Sequence, residues 1–149
     1  MMELGTAVLI VRSVGAIALA CALFGLYYNF GTFRNVLRSS REATDPPRFR
    51  EAFYVMSAIC VFFYGILGWM GIDFLFGNSE RWVVFVVVLF AETIYFLAVG
   101  MLWARSTHGM SIAAASGISS GGLMVQLFIL FPVWAPVVVW LARQRIVNP

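Results

Sequence analysis

Four long apolar stretches, at residues 4–28, 52–72, 82–104 and 118–142, alternate with more polar ones along the chain. Each holds roughly the 20 apolar residues that a helix needs to cross hydrocarbon. Strands of a membrane barrel would be about 10 residues long and alternate in polarity, which these runs do not. Only helices and closed barrels satisfy their backbone polar groups in lipid. The pattern therefore predicts an all-α fold, an integral membrane four-transmembrane-helix bundle forming a single domain over residues 1–149.

The joining segments differ in character. In "GNSERW" (77–82), Ser79 is placed to cap the third helix and Glu80 to occupy its first turn, where the helix dipole favours an acid. A tight antiparallel hairpin of the second and third segments follows. Residues 29–51 form a long basic loop in which Arg34, Arg38 and Arg41 recur at helical spacing beside Phe33, Val36 and Leu37. That spacing predicts an amphipathic extension on the bilayer surface, stopping before Pro46 and Pro47. In "SIAAASGISSGG" (111–122) there is no GxxxxGK[ST] phosphate cradle. Beyond it, Pro132 and Pro136 predict a kinked fourth helix.

Composition agrees with a lipid solvent: 62% of residues are hydrophobic and 11% charged, against about 25% charged in soluble domains. All ten basic residues are arginines and the net charge is +3. They cluster beside the apolar segments, so anionic headgroups, not nucleic acid, are the expected counterparts, with Arg34, Arg38, Arg41, Arg48 and Arg50 as lipid or partner contacts. Arg81, Arg143 and Arg145 lie on one side of a four-span arrangement, and Arg34, Arg38, Arg41, Arg48, Arg50 and Arg105 on the other. The richer side is expected in the cytoplasm and both termini outside, in a bacterial cytoplasmic membrane. "MMELGTAV" begins with an acid rather than a basic n-region, so the first segment is expected to be retained.

Metal and cofactor chemistry find no support. Cys21 and Cys60 form no CxxC, and His108 is the only histidine. The two thiols are expected to be inert and to share a depth in the bundle, about 12 Å from the cytoplasmic ends of their spans.

Helix packing in lipid relies on close approach of small residues. Gly15, Ala18, Ala22 and Gly25 lie along one face of the first helix, and Gly65, Gly68 and Gly71 form a similar row on the second. These are expected to be seams of one bundle, or else a surface for another subunit.

The strongest anomaly is Glu92, ten residues beyond Trp82, hence about 15 Å deep and at the midplane of a hydrocarbon core about 30 Å thick. An ionised residue there costs about 2.5–3.5 kcal/mol, so the group must be neutral, paired or open to a polar cavity. Arg12 is the one cation inside a span and is expected either to pair with Glu92 or to snorkel outward. Tyr95, one turn along, and Gln126 in the fourth segment complete the expected intramembrane polar site.

The expected function is that of a non-catalytic membrane component, a complex subunit or a homo-oligomer. The alternative is a small proton-coupled transporter or channel using Glu92. An enzyme is least expected, since no span supplies a second carboxylate, a histidine cluster or an activated nucleophile.

Overall fold

Long runs of Leu, Ala, Val and Phe satisfy their own backbone as helices, and the structure, a computed structural model, is helical over the described residues of the first three and broken once in the proline-containing fourth. It describes residues 3–39, 47–103 and 121–148, with side-chain detail for 3–31, 34, 54–55, 57–95 and 125–148. Among the described residues the helices are, in order, α1 Leu4–Ser39, α2 Pro47–Leu75, α3 Trp82–Trp103, α4 Gly121–Phe128 and α5 Phe131–Val147. No strand occurs among the described residues. Two stretches, Leu4–Gly31 and Ser57–Leu75, are long and apolar enough to cross a membrane, and Trp82–Tyr95 is a shorter apolar run.

The first correction concerns residues 29–39. They belong to α1, which runs unbroken for 36 residues and so extends about 54 Å. Nothing in "NFGTFRNVLRS" stops a helix, so the basic extension continues the first apolar helix instead of forming a separate surface one. α2 likewise starts at Pro47 and not at residue 52, because proline fits the first helical position, where its missing N–H costs nothing.

The α2–α3 connection is a Schellman turn. Gly77 adopts φ 82°, its N–H donates to the Phe74 carbonyl at 2.9 Å, and the Asn78 N–H donates to the Asp73 carbonyl at 3.0 Å. Ser79 and Glu80 both precede the first helical residue, Trp82. The side chain that organises the entry is Asn78, whose Oδ1 accepts the Glu80 N–H at 3.1 Å, so the expected Ser79 cap is corrected. Arg81 donates to Asp73 Oδ2 at 2.9 Å and lies over the Trp69 ring at 5.0 Å, bracing the hairpin.

The fourth apolar segment is two helices, not one kinked helix. Pro132 has no N–H and its ring would clash with the Phe128 carbonyl, so the helix stops at Phe128, four residues earlier. Leu130 takes the left-handed conformation, φ 52° and ψ 29°, and Pro132 sits in the first turn of the new helix, which starts at Phe131. The Ile129 carbonyl freed by this break accepts the Trp134 Nε1–H at 2.8 Å. Pro136 stays within α5.

α1 packs along α2 and also against α4 and α5; α3 packs against α2 and α5. The neighbours therefore close a ring in which α1 and α3 are diagonal. Buried Ala7, Val11, Val14, Ala18, Cys21 and Ala22 recur at spacings of mostly four and three, the period of a left-handed helix seam. At one end of the bundle Arg143 of α5 lies over the Trp82 ring at 5.8 Å, and Phe85 joins Phe74 of α2, at 5.0 Å, to Phe131 of α5, at 6.0 Å.

Candidate functional site

On α3, Phe85, Leu89 and Glu92 are separated by four and three residues, so the stripe that turns two large apolar side chains inward also carries a carboxyl into the interior. Glu92 is 0% exposed. Gln126 on α4, also fully buried, places its Nε2 between the two carboxyl oxygens, donating at 3.2 Å to Oε1 and 3.3 Å to Oε2. Thr93 beside it spends its hydroxyl on the Leu89 carbonyl at 2.8 Å. Gln126 Oε1 is buried and has no hydrogen-bond partner among the described residues.

That orphan has a chemical consequence. The nitrogen and oxygen of a primary amide are nearly isosteric, and their assignment follows the hydrogen-bond network. Turned over, the amide places its oxygen between the two carboxyl oxygens, where it accepts the O–H of a neutral acid. The arrangement can hold a proton and tie α3 to α4. It holds no second acid, base or nucleophile in position to act on a substrate among the described residues.

The other members of the expected polar set lie elsewhere. Arg12 falls just outside the buried stripe of α1 and is exposed. Its Nε is 3.9 Å from where a β-carbon on Gly77 would stand, so it reaches outward to the α2–α3 turn, and pairing with Glu92 is corrected to the outward arrangement. Tyr95 sets its ring against Phe63 of α2, with centroids 6.2 Å apart. Cys21 and Cys60 are both buried, and neither forms a disulfide.

The small-residue rows meet each other. A β-carbon on Gly15 would stand 2.7 Å from the Gly71 carbonyl oxygen and 2.7 Å from Phe74 Cβ, and one on Gly71 would stand 2.8 Å from the Leu19 nitrogen. Gly68 faces Ala22 at 3.4 Å, and the Tyr64 ring fills the space left by Gly25, 2.6 Å from its absent β-carbon. Ala18 is buried on the same stripe. These residues form the internal α1–α2 seam. Gly65 does not belong to it, because a β-carbon there would meet nothing within 4 Å. The antiparallel register, Gly15 beside Gly71 and Asn29 beside Ser57, sets Cys60 opposite Leu26. Cys21 is more than a turn away from that level, so the expected common depth of the thiols is corrected.

Arg34 is exposed. Arg41 and the side chains of Arg38, Arg48 and Arg50 lie outside the described residues, as do His108 and the loop at 105–117.

One polar contact was not expected from sequence. Asn29 and Ser57 are both buried, and Asn29 Nδ2 donates to the Ser57 carbonyl at 3.5 Å. They floor a crevice of about 440 Å³ between α1 and α2, walled by Leu26, Phe30, Tyr54, Ala58 and Val61. The signal for it is a polar residue at the end of each apolar run, on helices that run antiparallel. Among the described residues no three His, Cys, Asp or Glu side chains cluster as metal ligands. Compared with protein-family models, characterised proteins and solved structures, the chain matches none.

Proposed function

We propose that the chain is a non-catalytic, four-span membrane bundle that acts by association, as a complex subunit or homo-oligomer. The observation that carries this reading is the Glu92–Gln126 pair: the deepest ionisable group is fully buried and engaged by another helix of the same chain. A neutral strut of this kind makes the bundle a unit without offering a reactive group to a substrate.

Lipid as the solvent is supported by the surface. The apolar windows of Leu4–Gly31 and Ser57–Leu75 are only 39% and 33% buried, and Leu9, Leu23, Phe62, Phe90 and Val133 are exposed. An apolar surface of that extent is not stable in water. The shorter α3 and the α4–α5 pair complete the four crossings, with the arginine-rich ends of α1 and α2 in the cytoplasm.

Association is supported by helix length. α1 and α2 have 36 and 29 residues, about 54 and 44 Å, against a hydrocarbon core of about 30 Å. Their excess lies at the arginine-rich end, where it makes a basic helical stem standing out of the bilayer.

The test combines extraction with substitution. The protein is expected to resist alkaline carbonate and to dissolve in mild detergent, with Glu92→Gln keeping its assembly and melting temperature and Glu92→Ala lowering both. A Gln variant that folds normally but loses a proton-linked flux in vesicles would replace the strut by a transporter.

A further inference from the structure

The crevice between α1 and α2 has an order of chemistry along its axis. Its deep part is apolar, with Leu26 on α1 and Ala58 and Val61 on α2. Its middle is polar: Ser57 is 5% and Asn29 3% exposed, and the Ser57 Oγ is buried with no hydrogen-bond partner among the described residues. Its outer part is aromatic, with Phe30 at 70% and Tyr54 at 37% exposure. One turn beyond Phe30, on the same face of α1, stands the exposed Arg34.

We propose that this crevice is a specific binding site for one anionic diacyl phospholipid of the surrounding bilayer. The inference rests on the membrane reading above. Sequence depth sets Asn29 next to the end of the first apolar run, where hydrocarbon gives way to the ester and headgroup layer. A phospholipid presents the same three chemistries in the same order. Its acyl chain lies against Leu26, Ala58 and Val61, its ester carbonyl accepts the Ser57 hydroxyl and a proton of the Asn29 amide, and its phosphate meets Arg34. The volume, about 440 Å³, is within the roughly 300–1,000 Å³ of small-molecule sites. The lateral opening suits a ligand that arrives from the bilayer.

An orphaned serine hydroxyl distinguishes this site from ordinary lipid contact. A buried hydroxyl without a partner carries the full cost of its desolvation. An ester oxygen supplies the acceptor, whereas a hydrocarbon chain alone does not. Nearby Asn29 has one N–H on the Ser57 carbonyl, and its amide carries a second donor.

The test is native mass spectrometry of the full chain, purified in mild detergent and incubated with phosphatidylglycerol or phosphatidylcholine, with circular dichroism and melting of every variant alongside. The wild-type chain is expected to retain one phosphatidylglycerol under activation that strips phosphatidylcholine. Ser57→Ala weakens retention of both lipids about fivefold, the worth of one hydrogen bond. Arg34→Gln removes the preference, a factor of about five, while leaving the basal lipid bound. Ala58→Trp fills the crevice from its exposed side and abolishes the retained lipid; Val61→Trp serves if that variant does not fold. A folded Trp variant that retains lipid like wild type overturns the proposal, as does a spread of weakly held lipids with no preferred single adduct. A chain released by carbonate defeats the membrane reading itself, whereas an integral protein without the adduct defeats only the lipid site.

Discussion

Replacing single glycines of α1 and α2 by alanine separates contact from helix propensity, because the same methyl group meets blocked, touching and open environments. At Gly15 the added carbon would stand 2.7 Å from a backbone oxygen and a β-carbon and 2.8 Å from the Leu75 nitrogen. Comfortable separations of carbon atoms are about 3.5–4.0 Å, so α1 and α2 must part locally by roughly 0.7–1 Å. A gap of that size forfeits a quarter to a half of the dispersion well of each affected contact, and such overpacking costs about 1–3 kcal/mol. Alanine returns up to about 1 kcal/mol of helix propensity. The expected net loss for Gly15→Ala is therefore about 1–2 kcal/mol, and Gly71→Ala, blocked by the Leu19 nitrogen at 2.8 Å and the Gly15 oxygen at 2.9 Å, belongs with it. Gly68→Ala, 3.4 Å from the Ala22 β-carbon, is close to neutral. Gly65→Ala touches nothing within 4 Å and is stabilising, by up to about 1 kcal/mol. Reversible unfolding in mixed micelles titrated with sodium dodecyl sulfate gives the four midpoints and slopes. The reasoning is refuted if Gly65→Ala costs as much as Gly15→Ala, or if all four variants fall within about 0.5 kcal/mol of wild type.

Two further outcomes follow from the same packing. Glu92→Leu and Gln126→Leu each leave one buried partner without its hydrogen bonds, costing about 1–3 kcal/mol. The double variant is expected to cost less than their sum, by about 0.6 and at most about 1.7 kcal/mol; strict additivity in the same micelle titration argues against the pair. Leu130 is exposed and held at φ 52°, where a side chain costs roughly 1 kcal/mol, so Leu130→Gly is expected to be neutral or stabilising by up to that amount. A β-branched Leu130→Val should lower the melting temperature, and equal melting of the two variants would remove strain as the reason for the break.

The apolar pattern predicts helix at four places and depth counting puts Gln126 among the groups Glu92 can reach, because both follow from the 1.5 Å rise of a helix. Helix ends were less legible. The apolar run of the first segment ends near Tyr28, but nothing there disfavours helix, and α1 continues to Ser39. Hydrophobicity marks where hydrocarbon would end, not where a helix does. The break at Leu130 carries no glycine or asparagine signal, and its cause is Pro132, two residues on. Gly65, Gly68 and Gly71 look like a row, yet steps of three residues turn by about 60° each on a helix of 3.6 residues per turn. Gly65 is thereby carried about 120° away from Gly71 and off the seam. On α1 the mixed spacing of three, four and three keeps Gly15, Ala18, Ala22 and Gly25 on one face.

The two ends of the bundle use polar groups differently, and the difference bears on where function resides. At the α2–α3 turn, Arg81 is spent on Asp73 and Trp69, Arg143 on Trp82, and the backbone on a Schellman cap. Each surface pair there contributes only about 0.2–1 kcal/mol, yet together they fix the geometry of α2, α3 and α5 at that end. The Glu92–Gln126 pair does the same for α3 and α4 in the interior. At the opposite end, by contrast, Ser57 Oγ has no partner among the described residues, Arg34 is exposed, and α1 and α2 run on beyond their apolar stretches. Unspent hydrogen-bonding groups and charge are what a partner or lipid can use. Substitutions at the turn should therefore change stability and leave binding intact, whereas substitutions at Arg34 or Ala58, both exposed, should change binding at nearly constant stability.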